Sequence, residues 1–324
     1  MRSLRADLRT LRRPLTYWSM AIMALFGVLL MLAGVQNAHG DIASPGYRAA
    51  AQVTCADLGL PPGPACDRKI SEFRSLTHAG VIQQQNDSRD RAVRAASADR
   101  GYLHPVQAGA MAAGLMASLP GAFIIALLAA GHIGGKWTRR TIKTQLLVDA
   151  RRTRLLVCAW ASTWLASLAV FAVTWIALAA CGPMLQSAYH LPGHAPSLGQ
   201  AWAATWPIAA RAVLTMAVFA ALGTAAAVVT RSTVGTLSLT LGVIMVSLIG
   251  GSLTTLSHAT PAYWVATWTR FPAKTYVVTS YWNTFLAQGG AAPSWWVGLT
   301  GLLALLVSCI AGAGVLFRRQ NVTV

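Results

Sequence analysis

Long apolar runs recur along the chain and are separated by polar segments, a pattern typical of helices that cross a membrane repeatedly. Each run has about 20 residues, the length at which an α-helix spans the hydrocarbon core of a bilayer. We therefore predict an all-α polytopic membrane protein with six transmembrane helices, at residues 17–36, 107–131, 155–180, 208–230, 233–256 and 295–317.

The polar segments between these runs predict the rest of the layout. Residues 1–16 form an amphipathic lead in which leucines recur at helical spacing beside five arginines, as in an interfacial helix on the inner leaflet. Residues 37–106 predict a small extracytoplasmic domain, and residues 132–154 predict a cytoplasmic loop with its own helix. The remaining segments are an outer loop at 181–207, an outer or re-entrant segment at 257–294 and a cytoplasmic tail at 318–324.

Two of these segments admit a second interpretation. The basic start followed by an apolar run also fits a secretory signal peptide, but the run at 17–36 is longer than a usual signal core and long enough to span. The aromatic-rich stretch at 257–294 fits either a re-entrant helix or an ordinary outer loop with anchoring aromatics. The sequence leaves that second choice open.

The segment 132–154 is strongly basic and cannot lie in lipid. It has seven Lys or Arg against one acid, Asp149, and a short loop with that bias stays on the cytoplasmic side. Ile142, Leu146 and Leu147 recur at helical spacing opposite basic residues, which predicts an amphipathic helix along the membrane or against a partner. A plain charge anchor attracted to anionic lipid is the simpler alternative. With this loop inside, both chain ends of a six-helix protein are cytoplasmic.

The order of residues in this loop also matches a known family. The loop reads KWTRRTIKT from Lys136, followed by Leu146-Leu147 and Ala150-Arg151-Arg152. This pattern resembles the cytoplasmic loop between the second and third membrane helices of ABC exporter permeases (ABC type 2 class), where an aromatic residue and a basic pair open a short coupling helix. Lys136, Arg140 and Ala150 stand where that family usually has Glu, Gly and Pro.

The resemblance implies a membrane subunit that dimerises with a second copy or a paralogue and binds two separate ABC ATPase subunits. ATP and Mg²⁺ would then bind to the partner ATPase, so this chain would hold no cofactor and would not be an enzyme by itself. The expected function is export of a hydrophobic or amphipathic drug, peptide or lipid across the plasma membrane. The residues expected at the ATPase interface, with Trp137, Ile142 and Leu146 as apolar anchors, are Lys136, Trp137, Arg139, Arg140, Thr141, Ile142, Lys143, Leu146, Arg151 and Arg152.

Composition excludes several other classes. The 324 residues are 55% hydrophobic and 11% charged, with a mean hydropathy of +0.51, which is too apolar for a soluble domain. The net charge of +17 would suit nucleic acid, but most of the excess lies at the expected cytoplasmic edges, so membrane lipid and not nucleic acid is the expected partner. All nine acids lie outside the predicted spans, which disfavours a proton-coupled carrier.

The sequence contains no candidate catalytic cluster. His190 and His194 lie in a Pro-rich stretch without a third ligand, and Gly134-Gly135-Lys136 lacks the other residues of a phosphate loop. These features disfavour a membrane enzyme or a metal centre. A different alternative is a membrane anchor or assembly protein that transports nothing and binds a partner through residues 37–106.

We predict a disulfide between Cys55 and Cys66, which flank a Pro-rich loop in the segment expected outside the membrane. Two free thiols are the alternative, and a metal site is disfavoured because no further ligand lies nearby at suitable spacing. Closing this loop should stabilise the small outer domain by roughly 2–3 kcal/mol. Mass spectrometry of non-reduced protein should find the two peptides linked, and finding both thiols free would disprove the pairing.

Overall fold

The computed structural model of the protein describes residues 14–43, 63–69, 71–72, 103–139, 141–142, 151–190, 195–252, 259–269 and 294–319. Within these ranges 92% of the residues are helical and none forms a strand, so the all-helical class is confirmed. In the described part of the chain, five helices are long and apolar enough to cross a membrane: Pro14–Gln36, Leu119–Thr138, Arg152–Tyr189, Leu198–Thr230 and Trp295–Arg319. By helix length and composition, this is a multi-pass membrane protein.

The bundle consists, in chain order, of α1 Pro14–Ala43, α2 Ala108–Met116, α3 Leu119–Ala129, α4 Gly135–Thr138, α5 Arg152–Tyr189, α6 Leu198–Thr230, α7 Thr233–Ser252, α8 Pro261–Thr269 and α9 Trp295–Arg319. A π-helical turn, Ala130–Gly134, joins α3 to α4 without a gap. A further short helical stretch lies at 64–69.

The long helices run alternately between two ends of the bundle. At one end the hydroxyl of Thr16 lies 3.3 Å from Nε2 of His132, and Arg152 donates a 3.1 Å hydrogen bond to the carbonyl of Phe317. We call this the basic end, because the described residues there include Lys136, Arg139, Arg151, Arg152, Arg154, Arg231, Arg318 and Arg319. At the opposite end, Nε2 of Gln36 donates to the hydroxyl of Tyr189 at 3.4 Å.

The fifth predicted span, 233–256, is less well defined than the other five. It corresponds to α7, whose apolar part, Thr233–Ser247, is shorter than the five candidate spans. Most of the predicted segments at 1–16, 37–106, 257–294 and 318–324 lie outside the described residues. The count of six spans and the outer domain therefore stay predictions.

The described part of the stretch predicted as an outer loop at 181–207 is largely helical. α5 continues to Tyr189 with Pro183 inside it, and α6 already begins at Leu198 with Pro207 inside it. A capping box starts α6: the Ser197 hydroxyl accepts from the Gln200 backbone N–H, and the Gln200 side chain accepts from the Ser197 N–H. Pro183 lies inside α5 and Pro207 inside α6, each about two turns from the nearer helix end, so each helix lacks one backbone hydrogen bond there.

The second predicted span, 107–131, is not one helix but two. α2 ends at Met116, and α3 starts after Ser118 with Pro120 in its first turn. Pro120 has no N–H to donate to the Met116 carbonyl, so the helix cannot continue through this point unchanged. The Ser118 hydroxyl donates instead to the Leu115 carbonyl at 2.6 Å. The break is fully buried among the other helices.

Two long helices form the frame into which the broken span fits. α1 packs mainly along α5, and α2 and α3 pack on both α5 and α6. Trp160 and Trp164 on α5 donate their indole N–H groups to the α6 carbonyls of Ala217 and Val213, at 3.0 and 3.2 Å. Because lipid supplies no hydrophobic drive between helices, such close packing and interhelical hydrogen bonds hold the bundle together.

The short helix α8 lies inside the bundle and not on its surface. Its residues Ala262, Val265 and Ala266 are buried in the main core, and it packs against α6, α7 and α9. The Ser247 hydroxyl of α7 accepts the backbone N–H of Ala262 at 2.8 Å, which satisfies one donor at the start of α8.

The break between α2 and α3 predicts that alanine at Gly121 and alanine at Gly312 change the free energy of unfolding by different amounts. A Cβ at Gly121 would collide with the carbonyl oxygen of Met116, whereas a Cβ at Gly312 on α9 would meet nothing within 4 Å. Gly121→Ala should lower the free energy of unfolding by about 1–3 kcal/mol, because backbone must move. Gly312→Ala should leave it unchanged or raise it slightly. Thermal unfolding in detergent tests both, and equal effects would contradict this description of the break.

Candidate functional site

The candidate site is the basic end of the bundle, where the start of the predicted coupling loop meets the ends of four helices. The π-helical turn and α4 bring Lys136 and Trp137 to this end as a direct continuation of α3. The helix therefore runs about two turns beyond residue 131, where the predicted second span ended. The start of the loop is thus rigidly attached to a transmembrane helix.

The π-helical turn lies directly on the short connection between α6 and α7. A Cβ at Gly134 would be 2.9 Å from both the Ser232 carbonyl and the Thr233 Cα, so only glycine allows this approach. The Thr138 hydroxyl donates to the Gly134 carbonyl at 3.1 Å and lies 3.3 Å from the Thr233 hydroxyl. These contacts fix the loop to the α6 to α7 turn.

Trp137 is half-buried between two elements. Its ring meets Phe317 of α9 edge-on, with ring centroids 5.9 Å apart and planes at 79°. The guanidinium of Arg231 lies over the same ring, 5.6 Å from its centroid. Trp137 therefore joins the loop to the last helix and to the α6 to α7 turn.

Arg231 adopts an unusual backbone conformation for a residue with a side chain. Its φ is 52°, in the left-handed region, at the position after α6 where glycine is usually found. A non-glycine residue costs roughly 1–2 kcal/mol there. An arginine at this position is explained by its contact with Trp137, which glycine could not make.

Ile142 lies in a small apolar cluster at the same end. It is 7% exposed and packs with Leu156 of α5, Val228 of α6 and Phe317 of α9, while Trp137 covers one side. The cluster thus holds Ile142 of the loop against α5, α6 and α9. The Thr141 hydroxyl donates to the Lys136 carbonyl at 3.2 Å, which closes the turn between them.

Arg152 links the first turn of α5 to the last turn of α9. Its Nη1 donates to the carbonyls of Phe317 and Arg318, at 3.1 and 3.0 Å. Carbonyls in the last turn of a helix lack partners within the helix, and a cation there also offsets the helix dipole. The contact ties the ends of the third and last predicted spans together.

The residues predicted at the ATPase interface thus have different environments. Arg139, Thr141 and Arg151 are exposed, Arg152 is half-buried, and Lys136 is only 6% exposed. Trp137 and Ile142, two of the expected apolar anchors, pack against this chain itself. The others, Arg140, Lys143 and Leu146, lie outside the described residues, so their placement stays a prediction.

Sequence reasoning did not find Phe317, Gly134 or Arg231 as parts of this site. Phe317 is the last residue of the predicted sixth span, and Arg231 lies between the predicted fourth and fifth spans. The sequence does carry one signal for Arg231: an arginine follows a long apolar helix at a position where glycine is usual. Nothing local in the sequence indicates that Gly134 contacts a turn almost 100 residues away.

The cysteines and possible metal ligands add no second site. Cys66 is fully buried, but Cys55 lies outside the described residues, so their pairing stays a prediction. Among the described residues, no three His, Cys, Asp or Glu side chains come together in a way that could hold a metal ion.

Comparison with protein-family models, with curated proteins and with solved structures gives no match to this chain. The fold and the geometry of the basic end therefore carry the functional argument.

The apolar cluster around Ile142 predicts that Phe317 contributes far more to the stability of the protein than its sequence neighbour Leu316. Phe317 is 5% exposed, whereas Leu316 is 45% exposed on the outer face of α9. Phe317→Ala should destabilise the protein by about 3 kcal/mol, because it leaves a cavity under Trp137 and Ile142. Leu316→Ala should cost less than about 1 kcal/mol. Thermal unfolding, with trypsin cleavage after Arg139 as a local probe, compares them, and similar effects would contradict the cluster.

Proposed function

We propose that this chain is the membrane permease subunit of an ATP-driven ABC exporter. The observation that carries the proposal is the attachment of the loop to the bundle: residues 134–142 contact the ends of α5, α6, α7 and α9 at once. A force applied to this loop by a partner would reach all four helices. A simple charge anchor for lipid needs positive charge but no such attachment.

The proposed arrangement has six spans, with the basic end and both chain ends in the cytoplasm. The cluster of basic residues at one end supports this orientation, because positive loops stay inside. Residues 37–106 are then outside, where a Cys55 to Cys66 disulfide can form. The buried position of α8 supports a re-entrant segment between the last two spans. The proposed location is the plasma membrane.

The proposed partners are two ABC ATPase subunits and a second permease, identical or paralogous. The exposed residues Arg139 and Arg151 supply the charged contact surface on this side. ATP and Mg²⁺ bind to the ATPase. Trp137 and Ile142 act as the link that passes movement of the loop to α9 and α5, because both side chains pack on those helices.

The proposed substrate is hydrophobic or amphipathic. The helices that would line its path carry no Asp or Glu between residues 103 and 319 in the part of the chain that the structure describes. A cationic substrate would meet no compensating acid there. Drugs, peptides and lipids all remain within this class.

The test reconstitutes the permease with the ABC ATPase that is encoded beside it and measures ATP hydrolysis by that ATPase. Trp137→Ala removes the ring contacts with Phe317 and Arg231, worth about 2 kcal/mol together. It should abolish the permease-dependent rise in ATP hydrolysis while the ATPase still co-purifies. Arg139→Ala with Arg151→Ala should instead weaken co-purification, because these side chains face the partner.

Trp137→Phe is the matched control, since it keeps an aromatic ring against Phe317 and should keep most of the stimulation. If Trp137→Ala stimulates the ATPase as well as the native chain does, the linking role is wrong. If no encoded ABC ATPase binds the native chain, the exporter proposal itself fails.

A further inference from the structure

Arg211 is a charged residue inside a transmembrane helix. It is the only Lys, Arg, Asp or Glu between residues 155 and 230, and it lies half-buried in α6. Arg211 and Arg231 are 20 residues apart, which corresponds to about 30 Å along an α-helix and to the thickness of the hydrocarbon core. Arg211 therefore lies at the boundary of that core opposite to the basic end. A charge within a membrane helix usually has a specific partner and a specific role.

Three contacts connect Arg211 to the last turn of α8. Its Nη1 donates to the carbonyl of Thr269 at 3.4 Å, and its guanidinium lies over the Trp268 ring, 5.8 Å from the centroid. In the opposite direction, the Trp268 indole N–H donates to the Arg211 carbonyl at 3.0 Å. Carbonyls in the last turn of a helix lack partners within that helix, so Arg211 supplies a donor that α8 itself does not have. An arginine that only extends towards the membrane surface needs no such contacts.

The first turn of α8 is held by a different helix. The Ser247 hydroxyl of α7 accepts the backbone N–H of Ala262 at 2.8 Å. Ser247 comes 14 residues after Thr233, which places this contact about 20 Å from the basic end. α8 therefore occupies the half of the bundle away from the basic end, with its start attached to α7 and its end attached to α6.

Packing around α8 is uneven. A Cβ at Gly298 of α9 would collide with the backbone of Trp268, so α8 and α9 approach each other closely at that point. Next to Ala262 and Val265, however, a small apolar pocket remains between α6, α7, α8 and α9. Side chains that line a void lose dispersion contacts, so packing holds this part of α8 less firmly than it holds a fully packed helix. The polar contacts at the two ends of α8 gain importance accordingly.

We propose that Arg211 is a positioning residue that latches α8 inside the bundle. Breaking its contacts with Trp268 and Thr269 lets α8 move outwards and opens the space between α6, α7 and α9 to water. Val265, which is 2% exposed and lies beside the pocket, then becomes accessible. A role for this opening in export rests on the proposed function, whereas the latch depends only on contacts within this chain.

The experiment measures how fast a cysteine at position 265 reacts with a water-soluble maleimide. Membranes opened by freezing and thawing expose both faces, so neither the orientation of the chain nor an ATPase affects the result. Val265→Cys fits the packed site because the new side chain is smaller, and the same chain without this substitution gives the background of the native cysteines.

Two variants break the latch in different ways. Arg211→Met removes the guanidinium but keeps an unbranched side chain, and Trp268→Phe removes the indole N–H but keeps an aromatic ring. Each should raise the reaction rate at position 265 about tenfold, because loss of one such hydrogen bond increases the population of the open form by about that factor. An unchanged rate in both variants would overturn the proposal.

Trp164→Phe is the matched control. Trp164 also donates its indole N–H to a carbonyl of α6, that of Val213 at 3.2 Å, but it belongs to α5 and not to α8. Its loss should destabilise the bundle to a similar extent and leave position 265 protected. A rise in the reaction rate equal to that of the latch variants would mean that any weakening of the bundle exposes this position, and the latch would be wrong.

A second cysteine separates movement of α8 from unfolding of the whole bundle. Ala113→Cys lies in α2, where Ala113 is fully buried. In the chain with Arg211→Met, position 113 should react as slowly as it does with Arg211 present. If positions 113 and 265 become accessible to the same extent, the variant unfolds generally and Arg211 does not act on α8 in particular.

Discussion

The contact between the Trp137 ring and its neighbours determines how the basic end is organised. One face of the ring carries the Arg231 guanidinium, and the ring also meets the edge of Phe317. These contacts, with Ile142 packed beneath, join the loop to helices that are far apart in sequence. Because the ring takes part in all of them, the loop cannot move without the ends of α6 and α9.

In the rest of the bundle, the few polar side chains of the interior form hydrogen bonds within their own helix or to a neighbouring helix. Buried Thr and Ser side chains mostly donate to carbonyls in the preceding turn of their own helix, and two tryptophans of α5 donate to α6. In lipid each polar group needs a hydrogen-bond partner within the protein, because no water is present to replace a missing one. The break in the second predicted span, at Ala117 and Ser118, is tolerated because it is enclosed by other helices.

Apolar runs predicted the helical class and the positions of most spans, because length and hydropathy alone decide whether a segment can cross a bilayer. Helix ends were less predictable. The segment 181–207 was predicted as a loop although α5 and α6 continue into it, and the capping pattern of Ser197 and Gln200 is visible in the sequence. Trp137 was recognised as an aromatic of the loop, but its partners Phe317 and Arg231 are set by tertiary packing. No local pattern of residues predicts such a contact.

The orientation of the basic end relative to the membrane is the central claim, because the coupling role depends on it. Single cysteines at Thr138 and at Ser71, two exposed positions on opposite sides of the proposed membrane, can be labelled with an impermeant maleimide in intact and opened cells. The unsubstituted chain serves as background. The account predicts that the cysteine at 71 reacts in intact cells and the one at 138 only after opening. Labelling of position 138 in intact cells would contradict it.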